Sequence, residues 1–389
     1  MKKKFLFRNL LLNCAEVCVL VGITLIAVVP FSCKVSTQGV QILDGDYVAP
    51  QLESFSVIDS RTVEMIFSEQ VIVSGTVVSP YVENVTDSDE HSATENLSMA
   101  LSAASGEDGA ISSQVVYDEN DSSIVRVVLE HDADVGKKYE LYGVVEDLHG
   151  NSLTFTFTFV GFNSRIPNLV MTEIQTDLVS KNTEEKTNGT RRAEFVEFLA
   201  LSDGNLAGLE ICSAYSGESK NYIFPAVEVS KGEIIVVHMR NTGEGCISEE
   251  GDSLNLASGA YTNESVRDLW SDNDSKCFGS KTDIIVLKNT LTNVIVDAVM
   301  FRESAVLSWD GMKVDYSSEV AAAGIYEGAE IEYATIADNK TAALTLSRVD
   351  ALELYEKVLG SNSDSVIERK TSNPETWIAN SKASAGVIQ

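Results

Sequence analysis

Leu153, Phe155, Phe157 and Phe159 alternate with Thr154, Thr156 and Thr158. A period of two is that of a β-strand, and here it sends an aromatic row to one face and a threonine row to the other. The signature recurs. Val63, Met65 and Phe67 alternate with Thr62, Glu64 and Ile66, Ile124 to Leu129 is rich in β-branched residues, and Tyr139 to Val145 reads as a further strand. Asp147-Leu148-His149-Gly150-Asn151 supplies a turn between two of these runs. Short, closely spaced strands without a long helical period predict an all-β chain built of sandwiches.

The second half reads the same way. After a linker at Phe162 to Asn168 come Leu169 to Ile174, Glu194 to Phe198, Leu206 to Leu209, Tyr222 to Pro225 and Ile234 to His238. Asp283 to Leu287 and Val294 to Val299 then pair across a turn at Asn289 to Thr292. Polar stretches at 180–192, 241–280 and 303–343 interrupt the strands and are expected to be loops.

The start of the chain is of another kind. Lys2, Lys3, Lys4 and Arg8 precede an apolar run from Val17 to Val29. A membrane-spanning helix needs about 20 apolar residues. To reach that length the run must begin at Leu10 and carry Asn13 and Glu16, and a charge at mid-membrane costs about 2.5–3.5 kcal/mol. Cleavage is therefore expected. With Cys33 following, the segment resembles a bacterial lipoprotein precursor. Ser32 fits the pattern before the lipidated cysteine, Phe31 is large for it, and Pro30 stands where leucine is usual. The resemblance implies a signal peptide at 1–32, a lipidated Cys33 with a tether over 33–49, and a location in the cell envelope facing the periplasm or the outside. Several acyl chains at about 0.8 kcal/mol per buried methylene hold such an anchor firmly.

Charge narrows the partners. The chain carries a net −29, and loss of the leader's four cations and Glu16 takes it to −32. That balance opposes nucleic-acid phosphates, and no basic patch larger than Arg191-Arg192 or Lys137-Lys138 offsets it. With Cys14 and Cys18 in the leader and Cys33 committed to lipid, Cys212, Cys246 and Cys277 remain. Cys246 and Cys277 flank one turn-rich excursion and are expected to form a disulfide, whereas Cys212 sits in a strand and reads as a small core residue.

Two resemblances cover the rest. Ala49-Pro50, Ser56-Val57 and Val63 to Val71, closed by Gly136 to Tyr139, Val145 to Asp147 and Gly150-Asn151, resemble bacterial Ig-like domains over 50–162. The stretch 83–114 is longer than that fold needs and is expected to be an exposed loop with a helical turn at 96–103. Glu173-Ile174, Glu194-Phe195-Val196-Glu197-Phe198, Tyr222 to Pro225, Lys231-Gly232, Asp297-Ala298-Val299, Ser347-Arg348 and Trp377 follow the order of a lamin-tail domain over 168–389. Together they imply two Ig-like sandwiches in tandem.

Chemistry is sparse. Glu173, Glu194 and Glu197 suggest a carboxylate cluster, but Glu194 and Glu197 are three apart on a strand and so face opposite sides; strand carboxylates making hydrogen bonds are the expectation. Asp118 to Asp121 and Asp272-Asn273-Asp274 could offer a weak Ca²⁺ site, yet both lack the glycine and distal glutamate of an EF-hand loop. His91, His131, His149 and His238 are scattered, without zinc spacing, and no nucleophile motif stands out. Trp270 and Tyr261, in the inserted loops, are the aromatics expected to touch a partner; Trp309 is expected to cap a core. The sequence thus predicts a non-enzymatic, lipid-anchored binding or adhesion module with a protein or glycan partner and no cofactor or nucleic acid. A hydrolase or its accessory part, and a structural spacer, are the alternatives.

Overall fold

The computed structural model describes residues 46–81, 110–179, 183–361, 367 and 369–389. Residues 46–48 fall in one unit and Ala49–Gln389 in another. The leader, Cys33, most of the tether, the helical turn expected at 96–103 and most of the 83–114 loop lie outside the described residues.

The chain is all-β in class. Its first seven strands are β1 (Leu52–Val57), β2 (Thr62–Phe67), β3 (Ile72–Pro80), β4 (Ser113–Tyr117), β5 (Ile124–Leu129), β6 (Lys138–Glu146) and β7 (Ser152–Val160). They form two antiparallel sheets, β1-β2-β5-β4 and β3-β6-β7. Alternation decides what faces inward: Met65, Phe67 and Val127 of one sheet meet Leu141, Val145 and Phe155 of the other in one core. Phe155 lies over Gly143, its cross-strand partner; a Cβ there would sit 2.4 Å from the ring, so the strand glycine is what lets the aromatic row lie flat. The turn between β6 and β7 is tied by Asp147 Oδ1, which accepts the amides of His149 and Asn151 at 2.8 Å each.

The second set comprises β8 (Leu169–Gln175), β9 (Phe195–Ala200), β10 (Gly204–Asn205), β11 (Leu209–Ser213), β12 (Tyr222–Ile223), β13 (Glu228–Val229), β14 (Ile234–His238), β15 (Arg267–Trp270), β16 (Thr282–Asn289), β17 (Val294–Arg302), β18 (Thr335–Ile336), β19 (Leu344–Arg348) and β20 (Trp377–Lys382). A six-stranded sheet, β15-β14-β9-β8-β19-β20, faces a five-stranded one, β12-β11-β16-β17-β18. Pairing is antiparallel except for β14 with β15 and β17 with β18. Met171, Phe198 and Val237 pack against Ile211, Leu287 and Phe301 between them.

Helices were not expected here, and among the described residues three are present: α1 (Thr183–Thr187), α2 (Lys313–Ala322) and α3 (Ala351–Gly360). α2 and its flanks cover the outside of the five-stranded sheet, where Val320, Tyr326 and Trp309 pack on Ile284 and Met300. α3 sets Leu354 and Val358 on Val170 and Leu199, outside the six-stranded sheet. The 303–343 stretch is therefore a packed layer rather than a loop, and Trp309 caps a core as expected, donating Nε1–H to Ala329 O at 2.9 Å.

The sandwiches meet at a packed junction. The Asn163 side-chain amide donates to Asn205 O (2.6 Å) and Ala207 O (2.7 Å). Gly136, at φ +73°, abuts the second sandwich so closely that a Cβ would lie 2.7 Å from Ala226 Cβ and 3.1 Å from Ala207 Cβ. Gly136→Ala is expected to cost about 1–3 kcal/mol through this overpacking and the left-handed backbone; an unchanged thermal unfolding profile would count against a tight junction.

Candidate functional site

A pair of buried carboxylates lies on the six-stranded sheet. A β-bulge shifts the β8–β9 register between Met171 and Glu173 and sets Glu173 directly opposite Glu197. Both side chains are buried. Glu173 accepts the Thr345 hydroxyl at 2.5 Å, the Ser384 hydroxyl at 2.9 Å and the Ser384 amide at 3.1 Å. Glu197 accepts the Thr172 hydroxyl at 2.6 Å and the Gly386 amide at 2.7 Å. Burial, with the Glu173 charge adding to it, pushes the Glu197 carboxyl up to about 7, and burial raises Glu173 as well. The crevice between them, bordered also by Ser347 and Val387, has room for about one water. The two carboxylates of raised affinity for protons stand as cross-strand neighbours, and the segment 383–389 lies across them, so the crevice has no room for a substrate.

Glu194 stands apart, as its spacing predicts. It precedes β9 and pairs with Arg240 Nη2 at 2.5 Å, beside the Cys277 amide. Cys277 donates its thiol to Met239 O at 3.1 Å, and burial pushes that thiol up to about 11. Cys246 lies instead by Thr242 Oγ1, at 3.5 Å. Both are free thiols, as is Cys212; the expected Cys246–Cys277 disulfide is not formed, because each sulfur is held by neighbours of its own.

Trp270 is a second correction. The 241–280 stretch carries an edge strand, β15, paired in parallel with β14. Trp270 is buried there, stacked on His238 with centroids 3.8 Å apart and planes 11° off parallel, and cannot meet a partner. His238 Nε2 and Asp268 Oδ1 are 2.7 Å apart. Arg267 pairs with Glu233 at 2.7 Å. Tyr261 is also turned inward: its hydroxyl donates to Ala342 O at 2.9 Å and its ring meets Phe195 edge-on.

In the two acidic loops, Asp118 and Asn273 use their side-chain oxygens locally. Asp118 Oδ1 takes the amides of Asn120 and Asp121, and Oδ2 pairs with Arg126 at 3.0 Å. In the second loop the Lys220 ammonium donates to Asn273 Oδ1 at 2.8 Å and Ser275 Oγ at 2.6 Å.

Inside the second sandwich lies a cluster that sequence reading missed. Asp297 on β17 accepts the Met171 amide of β8 at 2.7 Å, pairs with Arg369 at 2.8 Å and faces Arg348 Nη1 of β19 at 3.8 Å. Arg348 is fully buried, with Nε on Asp350 at 2.8 Å. One carboxylate thus ties the two sheets together. A half-buried amine, Lys340, donates to Thr176 Oγ1 at 2.5 Å above the Phe301 ring, and desolvation pushes it down to about 8.

Residues 167–379 match the model of the family described as TP_1001_2nd, protein second domain. The chain belongs to this family. The matched span of the TP_1001_2nd family holds both sheets of the second sandwich, the Glu173–Glu197 pair and the Asp297 cluster. A relative, an uncharacterized protein of Treponema pallidum (strain Nichols), is 28% identical over 173 residues, 44% of this chain and 41% of that protein; the chain spans about two fifths of that relative's length. Among solved structures, the N-terminal part of the bacterial S-layer protein SbsC is similar at 15% identity and a TM-score of 0.22, over 65% of this chain and 43% of that one. The S-layer protein rSbsC(31-844) is similar at 12% identity and a TM-score of 0.22, over 62% and 39%. Among the described residues no helix is long and apolar enough to cross a membrane.

Proposed function

We propose that this chain is a lipoprotein of the cell envelope, tethered through Cys33, whose two sandwiches act as a rigid, non-enzymatic binding or adhesion module for a protein or glycan. In this reading 50–162 is a bacterial Ig-like domain and 168–389 a lamin-tail domain, on the order of the motifs quoted above. The observation that carries it is the junction: Asn163 and Gly136 fasten one sandwich to the other, so the loops at their ends keep a fixed spacing. The closed carboxylate pair also supports it, since those buried acids are occupied by the chain's own donors rather than open to a substrate.

Metabolic labelling with palmitate tests the anchor. The wild-type chain is expected to take up label at residue 33 and partition with detergent, while Cys33→Ala takes up none and stays in the aqueous phase. Label in the variant, or an intact mass beginning elsewhere, defeats the anchor. Folded protein that binds no member of a panel of envelope glycans and extracellular matrix proteins defeats the binding role.

A further inference from the structure

We infer that the segment 383–389 is a proton-controlled strap, closed over the outer face of the six-stranded sheet while Glu173 and Glu197 share a proton and opened when both are charged. Three of the hydrogen bonds that satisfy the pair come from this one segment: the Ser384 amide and hydroxyl to Glu173 and the Gly386 amide to Glu197. The bulge in β8 places the two acids as direct cross-strand neighbours, where like charges repel. With one proton between them the pair carries a single charge and keeps its donors. With none, two charges face each other in a crevice with room for about one water, and the relief within reach is further water, which enters where the strap lifts.

The charged groups around the pair do not neutralise it. β8 and β9 contribute Glu173 and Glu197 themselves. β19 faces the pair with Thr345 and Ser347, which do not titrate; Arg348 at its end also borders the crevice, but its guanidinium pairs with Asp350 and faces Asp297, and α3 borders it with the uncharged Ala351. Tyr261 and Arg192 approach from the loop side, and burial raises the Tyr261 phenol. The segment has no ionisable side chain, and Lys382 precedes it. No cation figures among the influences on either carboxyl among the described residues, and burial already raises both.

The strap's remaining hold is light. Ala383 N donates to Ala343 O at 3.1 Å, Asn263 Nδ2 to Gly386 O at 3.2 Å, and Ala385 packs on Phe195, Val236 and Val266. Lifting it uncovers that apolar cluster, a face distinct from the loops invoked for binding.

Hydrogen–deuterium exchange on the full chain tests the strap at pH 5.5 and 8.5, with rates corrected for intrinsic exchange. The amides of Ala385 to Val387 are expected to lose at least about tenfold in protection at the higher pH, while those of Ile284 to Leu287 on β16 keep theirs. Glu197→Gln, which retains an acceptor for Gly386 and cannot charge, is expected to keep the strap protected at both pH values. Equal strap protection in the wild type at both pH values overturns the inference, as does loss in step with β16 or a Glu197→Gln variant that opens like the wild type. Should that variant not fold, Glu173→Gln carries the same expectation, and the wild-type comparison stands by itself.

Discussion

Asp297→Ala is expected to lower the unfolding free energy by about 3–5 kcal/mol, the range for removing one partner of a buried ion pair. Asp297 is fully buried on β17 and is the carboxylate shared by Arg348 and Arg369. Its loss leaves the buried Arg348 guanidinium without that counter-charge and the Met171 amide without its acceptor across the sheets. The measurement is the urea midpoint, which should fall with the slope unchanged. Asp297→Asn keeps an acceptor for Met171 and is expected to cost less. Replacing both members, as in Asp297→Leu with Arg348→Met, should cost less than the sum of the single changes, since a hydrophobic pair leaves no charge stranded. A loss below about 1 kcal/mol for Asp297→Ala would mean that the cluster does not hold the sheets together.

The motifs that resembled a lamin tail included both Asp297 and Ser347-Arg348, yet their meeting was not legible in the sequence. Fifty residues separate them, and no local period links β17 to β19. What was legible is what short-range physics dictates. β5 runs over Ile124–Leu129 and β7 over Ser152–Val160 because alternation of Phe and Thr, or a β-branched run, has little else to become. The stretch 351–360 should have been legible too: Ala351, Leu354 and Val358 recur at helical spacing after Asp350, and they are the residues α3 buries. β15 was hidden for a different reason. Arg267 and Asp268 look like loop residues until Glu233 pairs with the one and the His238 ring hydrogen-bonds the other in the interior. Glu173 could be named as a strand carboxylate but not placed against Glu197, because a bulge changes which residues stand opposite without leaving a mark in the hydropathy pattern.

Stability is expected to fall as the pH rises from about 4.5 to about 7, the reverse of ordinary acid denaturation. Burial first of all pushes the native Glu197 carboxyl up to about 7 and Asp283 up to about 6, against ordinary values of 4.5 and 3.8. Between those limits the folded chain binds protons that the unfolded chain has released, so stability decreases with pH. The contribution is whole below the unfolded values and gone above the folded ones. At about 1.4 kcal/mol per pKa unit, Glu197 alone accounts for on the order of 3–4 kcal/mol. Carboxyls held low, such as Asp147 with its amide and Asn151 hydrogen bonds, act oppositely but are spent at lower pH, through 3.8 and below. Lys340, pushed down to about 8 by burial, adds a recovery on the alkaline side: between about 8 and the ordinary value of 10.5 the unfolded chain holds the extra proton, so stability rises again. Thermal unfolding from pH 4 to 10 should therefore be highest near pH 4.5 and lowest between about 7 and 8. Glu197→Gln should fill much of the acid side of that trough, leaving the Asp283 share, which Asp283→Asn would reduce at the expense of acceptors for Ser213, Gly279 and Tyr215. A wild-type midpoint that is flat or climbs between pH 5 and 7 would show that both acids are ionised throughout, and with them the strap's proton would be gone.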